Sequence, residues 1–383
     1  MSNQEGSVSI TGLGMASSLG CNVFTACAAS RAGIVRPQEI ESFPVISPED
    51  HSELKLIAHL LPDRMTFGFS GRARMLRIAQ AGLTDLQQNV PESALANKRV
   101  GYFLSLPDPK RIYSGVDLLV DVDEKKKFEE EADEFVADEE FPAYLLNTAS
   151  RLSNWDPKPK LKAVEFSGHT GFTNAVAIAK NELANDLVDV AVVGGIDSLA
   201  DTTTLEWLAA TNRLKTPEMA VGLQPGEASV FAMLQRENEC DDCLATIDDI
   251  TTAEESRPLL ETEPPLGAGL TELLKSVADS AGWKDSESVW LITDQNGENY
   301  RAMEWGQAQV KLIKQIPNFN SSIMWYPAAS FGDTGAASAG ISTCTAVCAF
   351  MRGYAQGKTA AVVSSSDDSK RSCMLISMKK PRG

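Results

Sequence analysis

Histidine is scarce in this chain: there are three in 383 residues, His51, His59 and His169. Chemistry that needs two histidines around one substrate would have to recruit one from the early, proline-interrupted stretch 34–64. Cysteine is sparse too, seven in all, and an odd number fits reduced thiols better than a disulfide framework. Cys240 and Cys243 form a lone CxxC. A four-ligand zinc site needs a second such pair, and acids beside a thiol raise its pKa instead of activating it. Glu239-Cys-Asp-Asp-Cys243 is therefore expected to be a surface loop. No stretch approaches the ~18 consecutive apolar residues of a membrane span. The first residues, Met1 to Ser7, lack the basic start and apolar run of a secretory signal. A soluble, cytoplasmic protein is expected. Positive charge is also short, with 35 Lys and Arg against 52 acids and a net charge of −17. That argues against nucleic acid or an anionic membrane as partner, since both reward clustered cations.

What is present suits a soluble protein with a sizeable core: 43% of residues are hydrophobic. A chain of 383 residues is longer than one average domain, so one large layered unit or two fused halves is expected. The negative charge is uneven. Residues 121–140 hold eleven acids and three lysines, which reads as a solvated, helix-prone insertion, about 107–141, or as an acidic docking arm. Arg72, Arg74 and Arg77 form the one compact basic cluster of note.

The periodicity alternates between strands and helices. Val8–Gly14 reads as a buried strand entering a tight turn. Residues 34–64 carry four prolines and little periodicity, and are expected to be mostly loop. From Arg72 to Gln87, Met75, Ile78, Ala79, Leu83 and Leu86 share one helical face. Leu161–Ser167 reads as a strand broken by Gly168-His169-Thr170-Gly171, followed by a helix to Leu183 and a buried strand from Val188. The same order returns later. Ser322–Tyr326 is broken by Gly332-Asp333-Thr334-Gly335, and an alanine-rich helix leads to a closing strand from Thr359. The repeat suggests a duplicated α/β architecture whose two Gly-x-Thr-Gly loops occupy equivalent places at strand C-termini. Apolar strands alternating with helices suggest mostly parallel sheets covered by helices.

Several of these residues together resemble the β-ketoacyl synthase family of the thiolase-like superfamily. They are Val8–Gly14 with Ser17-Ser-Leu-Gly20, the spacing from His169 to Gly194-Gly195, and Arg213-Leu-Lys-Thr216. Gly226-Glu-Ala228 and Gly332-Asp-Thr-Gly-Ala-Ala337 complete the set. The resemblance implies an α/β, thiolase-like duplicated fold with halves 1–247 and 248–383. Family members condense acyl thioesters with one cysteine and two histidines. By position the cysteine falls on His169, and the histidines fall on Asp333 and Asn296. With no other histidine or cysteine near, the family's acyl-cysteine mechanism cannot be assembled.

His169, Asp333 and Asn296 are thus the candidate catalytic positions, with Ser167, Glu298 and Ser364 as candidate substrate contacts. A His–Asp pair beside the Ser167 or Ser364 hydroxyl would suit hydrolytic chemistry. His169, Asp333 and Glu298 would suit a mixed nitrogen–oxygen metal set, although polar groups that merely cap helices explain the same residues, and neither a metal nor a cofactor is expected. The helix N-terminus disfavours a cationic His169 while Asp333 favours it, and the sequence does not say which wins. Asp294–Trp305 is denser in polar groups than a turn requires. The function expected is a non-condensing, catalytically degenerate relative: an acyl-chain-binding or partner subunit, or an interaction protein. The alternative is an acyltransferase or thioester hydrolase of altered mechanism using His169 and Asp333. The resemblance implies a homodimer, or a heterodimer with a related synthase, built on the strand around Leu161–Ser167. It also suggests an acyl carrier protein or acyl thioester as partner.

Overall fold

Ten strands of the computed structural model lie in one sheet, and their order repeats. The structure describes residues 7–46, 51–109, 111, 126, 140–240, 243–259, 261, 263–283 and 289–378. Most of the expected acidic insertion, and Asp241 and Asp242 of the CxxC, lie outside the described residues. The strands are β1 (Val8–Ser17), β2 (Gln38–Ile46), β3 (Glu53–Ala58), β4 (Val100–Ser105), β5 (Leu161–Glu165) and β6 (Val190–Ser198). They continue as β7 (Glu227–Arg236), β8 (Ala245–Glu254), β9 (Trp290–Thr293), β10 (Ile323–Trp325), β11 (Thr359–Ser365) and β12 (Lys370–Met378).

The sheet runs β10-β9-β11-β12-β8-β1-β7-β6-β4-β5. Read from either edge to the centre, each half has two parallel pairings followed by two antiparallel ones. Within the sheet the halves join where β1 pairs β8, over Val8–Ile247, Ser9–Thr246 and Ile10–Ala245. The duplication suggested by the sequence is thus a duplication of strand order and direction. Parallel pairing is confined to the wings. One reason is length: β11 and β12 are joined by residues 366–369 alone, too few for the crossover a parallel pair needs.

Side-chain alternation divides the core into layers. Ala191 and Val193 of β6, with Ala360 and Val362 of β11, enter one central cluster. Their neighbours Val190 and Val192 face an outer cluster under the helices Gly71–Asn89 and Phe141–Leu152. Ala361 and Val363 face another, under Ala268–Val277 and Asn299–Ile313. Between the half-sheets lie Gly171–Ala184 and Ser338–Arg352. The latter is buried nearly all round, and its hydroxyls Thr343 and Thr345 bond back to carbonyls of their own helix. The result is helix–sheet–helix–sheet–helix. The face Met75, Ile78, Ala79, Leu83 and Leu86 is buried as its spacing predicts.

Three readings change. Residues 34–64 are not mostly loop: β2 and β3 form an antiparallel hairpin, its register broken between Ile40 and Val45. Pro44 and that break hide the alternation that marks a strand. Thr359 does not open the last strand, since β12 follows. The two Gly-x-Thr-Gly motifs are also out of register. The left-handed glycine that opens the turn before each central helix is Gly168 (φ +53°) in one half and Gly335 (φ +48°) in the other. His169 therefore follows its turn glycine, whereas Asp333 precedes its own. Of the CxxC pair, Cys240 is buried and Cys243 partly so, and neither is in a disulfide.

Candidate functional site

Residues that follow strands β5, β6, β9 and β11 gather at the C-terminal ends of the parallel wings, where open α/β sheets place their ligand crevices. His169 sits in the single turn between β5 and the helix Gly171–Ala184. Asp333 sits on the loop ahead of the helix Ser338–Arg352. Close backbone approach brings them together: a Cβ on Gly195 of β6 would lie 2.8 Å from the Ala336 carbonyl, so the two turns close over a glycine.

His169 Nε2 lies 2.8 Å from Asp333 Oδ1, and both residues are buried. Asn296 Nδ2 donates to Asp333 Oδ2 (2.6 Å) and to Glu298 Oε2 (2.8 Å). The other side of the imidazole faces a guanidinium, with Arg301 Nη2 3.3 Å from His169 Nδ1. A guanidinium only donates, so that contact fits a neutral ring carrying its proton on Nε2 toward Asp333. Burial disfavours the imidazolium, the Asp333 carboxylate outweighs burial, and the His169 pKa is raised. For Asp333, burial is outweighed by His169, Arg301 and the Asn296 amide, which hold it well below the usual carboxylate range.

The space around this pair is filled with charge. Arg213 donates through Nε to Glu298 Oε1 (2.6 Å) and through Nη1 to Asp367 Oδ2 (2.8 Å), and stacks 4.9 Å over the Trp207 ring. Arg301 donates to Asp294 (3.1 Å) and to the Ser365 carbonyl (2.6 Å). Arg111 donates to Asp197 (2.7 Å) and to Thr204 (2.9 Å). Burial raises the Asp367 pKa, but Arg213 and Arg301 overcome it and pull it to about 2. The cavity left among these groups is about 80 Å³, whereas sites for drug-sized ligands run from roughly 300 Å³.

The six sequence-predicted residues separate into groups. His169, Asp333, Asn296 and Glu298 are brought into one hydrogen-bonded chain. Ser167 lines the small cavity, but its hydroxyl donates to Glu165 (3.1 Å) and accepts from Lys370 Nζ (3.2 Å), not from His169. Ser364 is buried within β11 and does not line the cavity. Ser366 does. It accepts from the Thr170 N–H (3.1 Å) and donates to the Ser167 carbonyl. Neither the His–Ser contact of hydrolytic chemistry nor a metal set is formed. Both ring nitrogens of His169 are occupied, Glu298 is taken by Arg213 and Asn296, and no cluster among the described residues could hold a metal ion. Arg301, Asp367 and Asp197 are not singled out as site residues by sequence, and Arg213 enters there only through the segment Arg213–Thr216 that carries the resemblance. Of these only Arg301 lies in the polar segment Asp294–Trp305 that the sequence marks.

No family model matches the chain, and no curated protein matches it in sequence. Solved structures do. The ishigamide ketosynthase/chain length factor superposes with a TM-score of 0.74 at 15% identity, covering 98% of this chain and 100% of that one. A ketosynthase from module 6 of the bacillaene synthase of Bacillus subtilis 168 gives 0.72 at 13%, covering 98% and 73%. A type II polyketide synthase acyl carrier protein in complex with its ketosynthase gives 0.72 at 13%, covering 98% and 100%. Identities this low speak to architecture alone. The fold of this chain is the thiolase-like fold of ketosynthases and chain length factors.

Proposed function

We propose that the chain is a non-condensing ketosynthase-like subunit that works by pairing with a second thiolase-like chain, either its own copy or a related synthase. The observation that carries this reading is the arginine–carboxylate bundle of Arg213, Glu298, Asp367 and Arg301 around His169, which leaves about 80 Å³ of free space. Beside His169 itself that is too little space for an acyl chain, and the larger hollow of about 700 Å³ shares only Pro107, Asp108 and Arg111 with it. His169, in the place of the nucleophile, is locked between Asp333 and Arg301. Nucleophilic catalysis needs a group whose lone pair reaches the substrate, and neither ring nitrogen is free to do so. The similarity to a ketosynthase/chain length factor supports a partner role, and the similarity to a ketosynthase held by an acyl carrier protein supports such a protein as a further contact.

The test is mass spectrometry of the purified protein after incubation with a panel of acyl- and malonyl-coenzyme A thioesters, following protein adducts and released products. The reading expects no adduct, no thioester hydrolysis and no decarboxylation. An adduct or turnover that disappears in His169→Ala would replace it with a remodelled acyl-transfer enzyme.

A further inference from the structure

The first half-sheet has a second end, remote from His169, where β4, β5 and β6 begin at Val100, Leu161 and Val190. Six residues of β4 separate the two ends, about 20 Å at the strand rise. The segments leading into these strands enclose a hollow of about 540 Å³ whose wall carries Lys98, Arg99, Lys158, Lys160 and Lys162. Five cations in one concavity stand out in a chain of net charge −17.

The local sequence builds the array. Asp156-Pro-Lys-Pro-Lys-Leu-Lys162 spaces its lysines two apart. Pro157 and Pro159 fix φ and keep the residue before each extended, so alternate side chains fall on one side of the chain. All three lysines face the same hollow. An array held this way loses little chain entropy when it binds.

Two of the cations are already neutralised. Arg99 is held by Asp186 (2.7 Å) and Asp189 (2.6 Å), and Lys162 by Glu182 (3.1 Å). The ammonium groups of Lys98, Lys158 and Lys160 meet no carboxylate within ion-pair distance among the described residues. Asp156, in the same wall, is engaged by the Tyr102 hydroxyl (3.0 Å) and the Lys158 N–H (2.9 Å). Trp155, partly buried against the core, completes the wall as its one aromatic ring, the kind of group on which a planar base stacks. The hollow is concave and of small-molecule size, which favours a compact polyanion over a macromolecular surface. Set against the Asp156 carboxylate, which meets only neutral donors, the three ammonium groups of Lys98, Lys158 and Lys160 still leave the wall net positive, as a di- or triphosphate requires.

We propose that this hollow is a binding site for a nucleoside di- or triphosphate, separate from the His169 site and independent of its reading. The test is isothermal titration calorimetry of the full chain with ATP, ADP and adenosine in EDTA, so that the acids of the chain cannot bind through a bridging metal. It compares the wild type with K158Q/K160Q and with K275Q/K314Q, which removes two exposed lysines elsewhere. ATP and ADP are expected to bind at least about tenfold tighter than adenosine, a difference of ~1.4 kcal/mol. K158Q/K160Q should lose at least about tenfold in ATP affinity while K275Q/K314Q stays within about twofold. No heat from ATP at roughly 1 mM, or equal affinity in K158Q/K160Q, overturns the proposal.

Discussion

At position 169 the imidazole meets a carboxylate on one face and a guanidinium on the other, and the pH dependence of the pair follows from its pKa shifts. The His169 pKa is raised in the fold, so its contribution to stability is fully present below the unfolded value of about 6.5 and is lost as pH rises through the folded value. The Asp333 pKa is lowered, so its contribution is present above about 3.9 and is lost only in stronger acid. The pair is therefore strongest between those limits. Melting curves of the wild type and His169→Gln from pH 5 to pH 9 should show the wild-type advantage greatest near pH 5–6 and shrinking toward pH 9. A gap that does not vary with pH would mean that His169 does not titrate as the pair requires. Arg213 poses a different question, because it is buried with its partner Glu298, while its other partner Asp367 is partly exposed. Removing one member of a buried ion pair strands the rest, typically at a cost of about 3–5 kcal/mol. Arg213→Ala should lower urea stability by that amount. A loss below about 1 kcal/mol would show that water already screens the group.

At the scale of elements, what the sequence discloses depends on how local the determining pattern is. The helix Gly71–Asn89 announces its buried face through spacing alone, and the strand–turn–helix units around Gly168 and Gly335 announce themselves through glycines. The hairpin β2–β3 does not, because Pro44 and the register break erase its period of two. The site divides in the same way. Asp294, Asn296, Glu298 and Arg301 cluster in one segment, and their polar density is legible in the residue order itself. Arg213 meets Glu298 across 85 positions and Asp367 across 154. Partners that distant leave no periodic trace, so the bundle that fills the cavity appears only when strand ends converge. The offset between the two glycine motifs is hidden for a related reason. Gly332 and Gly335 both adopt positive φ, and sequence alone does not say which of them opens the turn equivalent to Gly168.

Across the whole molecule, a ten-stranded sheet that does not close leaves two edges, and exposed edges are templates for pairing with another chain. One edge is β10, three residues long, and the other is β5, with five residues only partly buried and Phe166 exposed just beyond it. The longer edge can accept more backbone hydrogen bonds and is the better candidate for joining two copies into a continuous sheet. Charge opposes that union, because each copy carries −17 and like charges repel over a distance that salt shortens, about 30 Å at 0.01 M and 8 Å at 0.15 M. A homodimer through β5 should therefore tighten as ionic strength rises, the reverse of an interface held by ion pairs. Light scattering over a dilution series at low and moderate salt reads the dimer fraction, and hydrogen exchange reads the amides of Leu161–Glu165. Protection of those amides should rise and fall with the dimer. If the chain dimerises while they exchange as fast as in the monomer, the interface lies elsewhere. If it stays monomeric at every salt concentration, the β5 edge is left for a different thiolase-like chain to cover.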